Sequence, residues 1–234
     1  MNVMTRNVKI VCIYLLTALA SAAILGMAFW VRSGLIEREK PYVVNTGAEV
    51  HETLFPIASD LEATNQAGQR VKLSDLKGKV WVVAEFFAVC PHCAMRNGQE
   101  LRDLLNEFGA DPDFHLTCIS IDPETDNVEK LKDYSSALNA DPKNWWFLTT
   151  SHNAKAHAYM EETMKFFKIK MRTDPADIES NGKYAHDLGL ALVNKNFEVV
   201  GKWPLADARK NDPVLYESLK RDMYEKIRQE LANP

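Results

Sequence analysis

The first strong pattern in the chain is an unbroken apolar run. Residues Ile10 to Val31 are uncharged and mostly apolar, a length that lets one helix cross a bilayer core. Small residues from Ala18 to Ala23 resemble a leader cleavage site, but the run continues well past them. The expectation is a retained anchor: residues 1–9 as a cytoplasmic tail, 10–31 as a single transmembrane helix, and 32–52 as a polar juxtamembrane linker. Arg6 and Lys9 precede the run, while Arg32, Arg38 and Lys40 follow it, so flanking charge does not orient the helix.

From Thr53 the pattern becomes globular and stays so to about Leu231, which predicts one domain over residues 53–234. "QRVKLSDLKGK" reads as a short strand and turn. "VWVVAEFF", residues 80–87, reads as a continuous apolar strand covered on both faces. Ala94, Met95, Gly98, Leu101, Leu105 and Phe108 then recur at helical spacing. "FHLTCISI", residues 114–121, is a second buried strand. Val128, Leu131 and Leu138 mark a helix, capped by Thr125 or Asp126. "WWFL" is a short strand, residues 153–167 are expected to be helical, and "LGLALV-NKN-FEVVGKW" predicts an antiparallel hairpin. Asp212 and Pro213 open a last helix, with Leu215, Leu219, Met223, Ile227 and Leu231 on its inner face. Strands alternating with helices, closing on a hairpin and a helix, predict an α/β domain.

The chemistry concentrates in "EFFAVCPHCAMRNGQ". Cys90 and Cys93 are separated by Pro91 and His92, between a buried strand and a helix. A CxxC in that frame predicts a thioredoxin-like sheet flanked by helices. At a helix N-terminus, backbone N–H groups and the helix dipole favour a thiolate. Pro91 suits the first helical turn, and a protonated His92 would favour the thiolate further. A thiolate is both the nucleophile of disulfide exchange and a soft metal ligand, so the spacing serves either role. Half of a structural zinc site is the competing explanation, but no second ligand pair follows. Cys12, inside the N-terminal run, and Cys118, inside "LTCISI", read as buried small hydrophobes. Among the six histidines, His51, His115, His152 and His157 are expected at the surface or as caps. His186 differs, because it ends a long polar loop, "KMRTDPADIESNGKYA", and stands just before "LGLALV". It is a candidate metal ligand.

"GKVWVVAEFFAVCPHC", "ISIDPETDNVEKLKDY", "FLTT" and "YAHDLGLALVN" resemble the SCO/SenC family, in that order, across residues 53 to 205. The resemblance implies a thioredoxin-like domain tethered to an energy-transducing membrane on its extracytoplasmic, periplasmic side. It implies copper, as Cu(I) or Cu(II), held by Cys90, Cys93 and His186. It also implies a partner, the copper-site subunit of cytochrome c oxidase, whose assembly such proteins assist. Asp122 and Asp126 match the family's acidic motif, and with His92 and Asp187 they are candidates for shaping the surroundings of the ligands. Two thiolates and one imidazole suit copper chemically.

One departure is clear. The family spaces its cysteines by three residues and follows them with proline; here two intervene and Ala94 follows. Cys-Pro-His-Cys is instead similar to the active site of DsbA, a periplasmic thiol oxidant. The proline that faces the CxxC in thioredoxins and DsbA has no counterpart in "KYAHDLGL", and the peroxiredoxin threonine-x-x-cysteine signature is absent. Three functions therefore stand: copper delivery with or without disulfide exchange, a dedicated thiol–disulfide oxidoreductase, and a copper or redox sensor. The formal net charge of −4 excludes a strongly basic nucleic-acid binder.

Overall fold

The seven residues Val80–Phe86 form β4, and every one of them is buried. In the computed structural model the described residues are 11, 14, 16–27, 53–88 and 93–233, with the backbone alone for 93–96. The chain divides into two units, 1–48 and 49–234. In the first, residues 16–27 are helical. No helix among the described residues is long and apolar enough to cross a membrane. The remaining positions of the expected 10–31 span, Cys12 included, and the 32–52 linker with His51 lie outside the described residues.

In the second unit, β5 (Phe114–Ser120) pairs parallel with β4, and β6 (Trp145–Thr149) parallel with β5. The hairpin strands β9 (Leu190–Val193) and β10 (Glu198–Trp203) add antiparallel to the other edge of β4. Short strands β1 (Phe55–Pro56), β2 (Glu62–Asn65) and β3 (Arg70–Lys72) extend the sheet to the order β1-β10-β9-β4-β5-β6-β2-β3. A mixed sheet with parallel strands at its centre needs cover on both faces, which explains the apolar runs seen in β4 and β5.

Alternation along β4 sorts its side chains between two layers. Val82, Ala84 and Phe86 face α1 (Cys93–Phe108) and α2 (Val128–Ala137), where Phe86 packs against Tyr134 at 5.5 Å between ring centroids. Trp81, Val83 and Phe87 join the opposite core with Ile119, Met160 and Tyr184. That core is closed by α3 (Asn153–Ala158) and the π-turn Tyr159–Thr163. The last helix, α6 (Pro213–Ala232), follows α5 (Leu205–Asn211) and lies along α1, with Tyr224 against Phe108. Asp212 caps α6 by accepting from the N–H groups of Val214 and Leu215. Residues 49–234 thus carry their own sheet, two helical layers and core.

Several expectations are corrected. The α2 cap is Asn127, whose side chain accepts from Lys130 N–H, and neither Thr125 nor Asp126. Helical structure from 153 stops at Thr163, because Lys165 turns through a left-handed φ of 56°. The inner face of α6 includes Leu219, Met223 and Ile227, but Leu215 is exposed. The long polar loop before His186 is built: it holds β7 (Lys170–Met171), α4 (Pro175–Asn181) and β8 (Tyr184–Ala185), with β7 and β8 paired antiparallel. Cys118 is buried as expected, and burial pushes its thiol up to about 12.

His115 is neither a surface residue nor a cap. It is 1% exposed on β5 and packs edge-on against Trp146. Burial, helped by the charge of Lys79, lowers its pKa to about 3. The folded protein therefore holds His115 neutral where an unfolded chain, with a pKa of about 6.5, takes up a proton. Stability owed to this group is complete above about pH 6.5 and is lost as pH falls towards 3. The slope is about 1.4 kcal/mol per pH unit. The stability difference between wild type and His115→Gln, from urea unfolding of residues 49–234, should change by about this amount per unit between pH 6 and 5.

Candidate functional site

The site forms at the C-terminal end of β4, where β9 enters the sheet beside it. β4 leads through Phe87 and Ala88 to Cys90, and α1 begins at Cys93. Cys90, Pro91 and His92 lie outside the described residues, as does the Cys93 side chain. The described structure shows what holds the approach to them.

Two side chains grip this approach. Asp126 is fully buried, and its Oδ2 accepts from the N–H of Ala88 at 3.0 Å and from the hydroxyl of Ser120 at 2.6 Å. Burial raises its pKa, and the two hydrogen bonds oppose that shift. The second grip is His186. Its side chain is 4% exposed, and its ring meets Phe87 edge-on with centroids 5.6 Å apart. Phe87 is three residues before Cys90, so the fold brings His186 to the strand end that carries the cysteine segment.

The orientation of His186 follows from its neighbours. Nδ1 lies 2.8 Å from the carbonyl oxygen of Asp187 and 3.4 Å from Oε2 of Glu85. A carbonyl oxygen only accepts, so Nδ1 carries a proton and its side of the ring is turned to the backbone. Glu85 Oε2 also accepts from the N–H of Asp187 at 3.0 Å. One carboxylate oxygen therefore fixes both the imidazole and the peptide that follows it. Glu85 is 1% exposed, and burial raises its pKa despite the His186 contact. Its Oε1 is buried without a hydrogen-bond partner among the described residues.

Glu85 was hidden in the sequence because it sits inside an apolar strand. The signal was present, since a lone acid in a fully buried run needs a partner or a role. Asp187 is where the sequence placed it, next to His186, but its carboxylate turns away. It pairs with Lys202 and accepts from the N–H groups of Phe167 and Gly189. Asp122 is also buried and belongs to a neighbouring network. Its Oδ1 accepts from Asn153 at 3.2 Å and from Tyr184 and Lys183, each at 3.4 Å. Asp122 thereby braces β8, the strand that delivers His186, while Asp126 braces the cysteine approach. His157 caps this region from outside, with a ring nitrogen 2.7 Å from the Ile121 carbonyl, and His152 caps α3 as expected.

A central β4 flanked by parallel β5 and antiparallel β9, with a CxxC entering a helix at its end, defines a thioredoxin-like protein. Within that class, the family model described as SCO1/SenC matches residues 51–223. The chain belongs to the SCO1/SenC family. It is 28% identical over 155 residues to the SCO1 protein homolog of Bacillus subtilis, covering 66% of this chain and 77% of that protein. The fold is similar to BsSco, solved in work on a disulfide switch in a member of the Sco family of cytochrome c oxidase assembly proteins. That likeness has a TM-score of 0.60 at 21% identity and covers 80% of this chain and all of that one. Copper-bound ScoI of Bradyrhizobium japonicum is similar with a TM-score of 0.53 at 22% identity, covering 70% of this chain and 98% of that one. At these identities the structural likeness concerns the fold.

Proposed function

We propose that the protein assists assembly of the copper centre of cytochrome c oxidase, carrying copper between Cys90, Cys93 and His186. The observation that supports this most is His186 itself: a buried imidazole with its Nδ1 proton committed, edge-on to Phe87 in the segment that leads to Cys90. An imidazole lone pair and two thiolates are a donor set suited to copper as cargo. The relatives named above include a copper-bound protein, which supports the same reading. Residues 10–31 would anchor the domain to the membrane, with the domain on the periplasmic side.

The two-residue cysteine spacing favours a second activity at the same site. The Cys90 thiolate would attack a partner disulfide and form a mixed disulfide, releasing one partner thiolate. Cys93 would then attack Cys90 sulfur, freeing the partner's second thiol. Two electrons pass to the partner, and Cys90–Cys93 becomes the disulfide. Protein of this kind serves copper delivery by keeping the receiving cysteines reduced.

Both activities are separable by experiment. Residues 49–234, reduced and loaded anaerobically with Cu(I), should hold one copper per chain against a competing chelator. Cys93→Ser should accumulate a mixed disulfide at Cys90 with an oxidised dithiol partner, detected by mass spectrometry. Copper retention without any mixed disulfide would leave delivery alone. Mixed disulfide without copper retention would make the protein a dedicated oxidoreductase.

A further inference from the structure

The segment that precedes β8 presents an unusual surface beside the candidate site. In residues 164–171, "MKFFKIKM", the buried and exposed positions interleave. Met164, Phe166 and Ile169 are buried. Phe167 is 72% exposed and Met171 is 64% exposed, with Lys165, Lys168 and Lys170 exposed between and beside them. An aromatic ring left this open costs solvation unless something covers it.

This exposure is imposed by the fold. Phe166 N–H donates to the Met160 carbonyl at 2.9 Å, and Ile169 N–H donates to Glu161 at 2.9 Å. Phe167 N–H donates to Asp187 at 3.1 Å. Lys202 Nζ sits 4.0 Å from the Phe166 ring centroid and 4.9 Å from that of Phe167. β7 then pairs Lys170 with Ala185 and Met171 with Tyr184. The ridge is thus tied through β8 to His186, the next residue along.

Its charge is one-sided. Residues 164–173 contain Lys165, Lys168, Lys170 and Arg172 and no acid, in a chain of net charge −4. Arg172 is committed to Asp177 at 3.1 Å and to backbone carbonyls around Gly182. The three lysines form no ion pair among the described residues.

We infer that the ridge Lys165–Met171 is the docking surface for the protein that exchanges copper or electrons with the site, and that this partner offers carboxylates around an apolar depression. The inference rests on the proposed function and adds to it where, and by what chemistry, the partner is gripped. Transfer between sulfurs requires the partner at bonding distance from the cysteine segment, so it must cover what flanks His186. Opposite charges would steer it, and Phe167 and Met171 would fill its depression.

The test uses residues 49–234 and the soluble copper-site domain of cytochrome c oxidase from the same organism. Wild-type affinity should fall as salt rises from about 50 to 200 mM. Lys165→Glu/Lys168→Glu/Lys170→Glu should slow association by about tenfold or more at low salt and flatten that salt dependence. Phe167→Ser should weaken the complex by about tenfold, chiefly through faster dissociation. All variants should keep wild-type Cu(I) affinity and thermal stability. Unchanged association in the triple variant together with unchanged dissociation in Phe167→Ser would overturn the surface while leaving the function intact. Lysine-dependent binding of wild type to phosphatidylglycerol vesicles, with no effect of the lysines on the domain complex, would assign the ridge to lipid instead and also overturn it. Absence of any wild-type complex or transfer would remove the surface and the proposed partner together.

Discussion

His186→Ala should weaken Cu(I) binding by about a hundredfold or more, the largest effect expected at this site. Losing a hydrogen-bond partner of a metal ligand commonly costs about 10–100-fold in affinity, so loss of the ligand itself should cost at least the upper end. Two thiolates alone also leave copper open to competing thiols. The stability cost should be modest by comparison: the ring is lost from a contact with Phe87, and the Asp187 carbonyl and Glu85 lose one donor. Disulfide exchange at Cys90 should change much less, because its chemistry needs only the two sulfurs. Chelator competition measures the first quantity, and the rate of mixed-disulfide formation measures the second. Wild-type copper affinity in His186→Ala would disprove the three-ligand arrangement and leave the Cys-Pro-His-Cys oxidoreductase.

The second large effect is expected at Glu85. Its Oε2 fixes both the Nδ1 side of His186 and the N–H of Asp187. Glu85→Leu keeps much of the volume but leaves that buried N–H without its acceptor, a cost of about 1–3 kcal/mol. Copper affinity should fall by about 10–100-fold, as for other partners of metal-bound histidines. Glu85→Gln should restore most of it, since an amide oxygen still accepts from both groups. A readout on copper-free protein separates orientation from simple destabilisation. The ¹⁵N shifts of His186 should report an Nδ1–H imidazole in wild type and in Glu85→Gln, and a mixture of tautomers or protonation states in Glu85→Leu. Identical ring shifts in all three proteins would mean that the Asp187 carbonyl alone orients the ring.

These two residues illustrate different routes from sequence to site. His186 was visible because a histidine ending a polar loop, just before an apolar strand, stands out against its surroundings. Glu85 is harder to read, since it is embedded in "VWVVAEFF" and its partners among the described residues stand 101 and 102 positions away. The buried carboxylates Asp122 and Asp126 were noticed together, yet the fold separates their jobs. One braces β8 through Tyr184 and Lys183, and the other holds the backbone of Ala88.

Elements whose signals are local were legible from the order of residues. Apolar runs marked β4 and β5, the N–K–N turn marked the β9–β10 hairpin, and Asp212–Pro213 marked the start of α6, because periodicity and caps act within a few residues. The CxxC between strand and helix also set the class of fold. Tertiary structure alone decided the burial of His115, the built hairpin and helix inside the polar loop, and the exposure of Phe167. Each depends on contacts between segments distant in the chain: Trp146 beside His115, Ala185 opposite Lys170, and Asp187 holding the backbone of Phe167. Hydropathy reads what a residue prefers, whereas its final environment is set by which remote groups the sheet order brings to it.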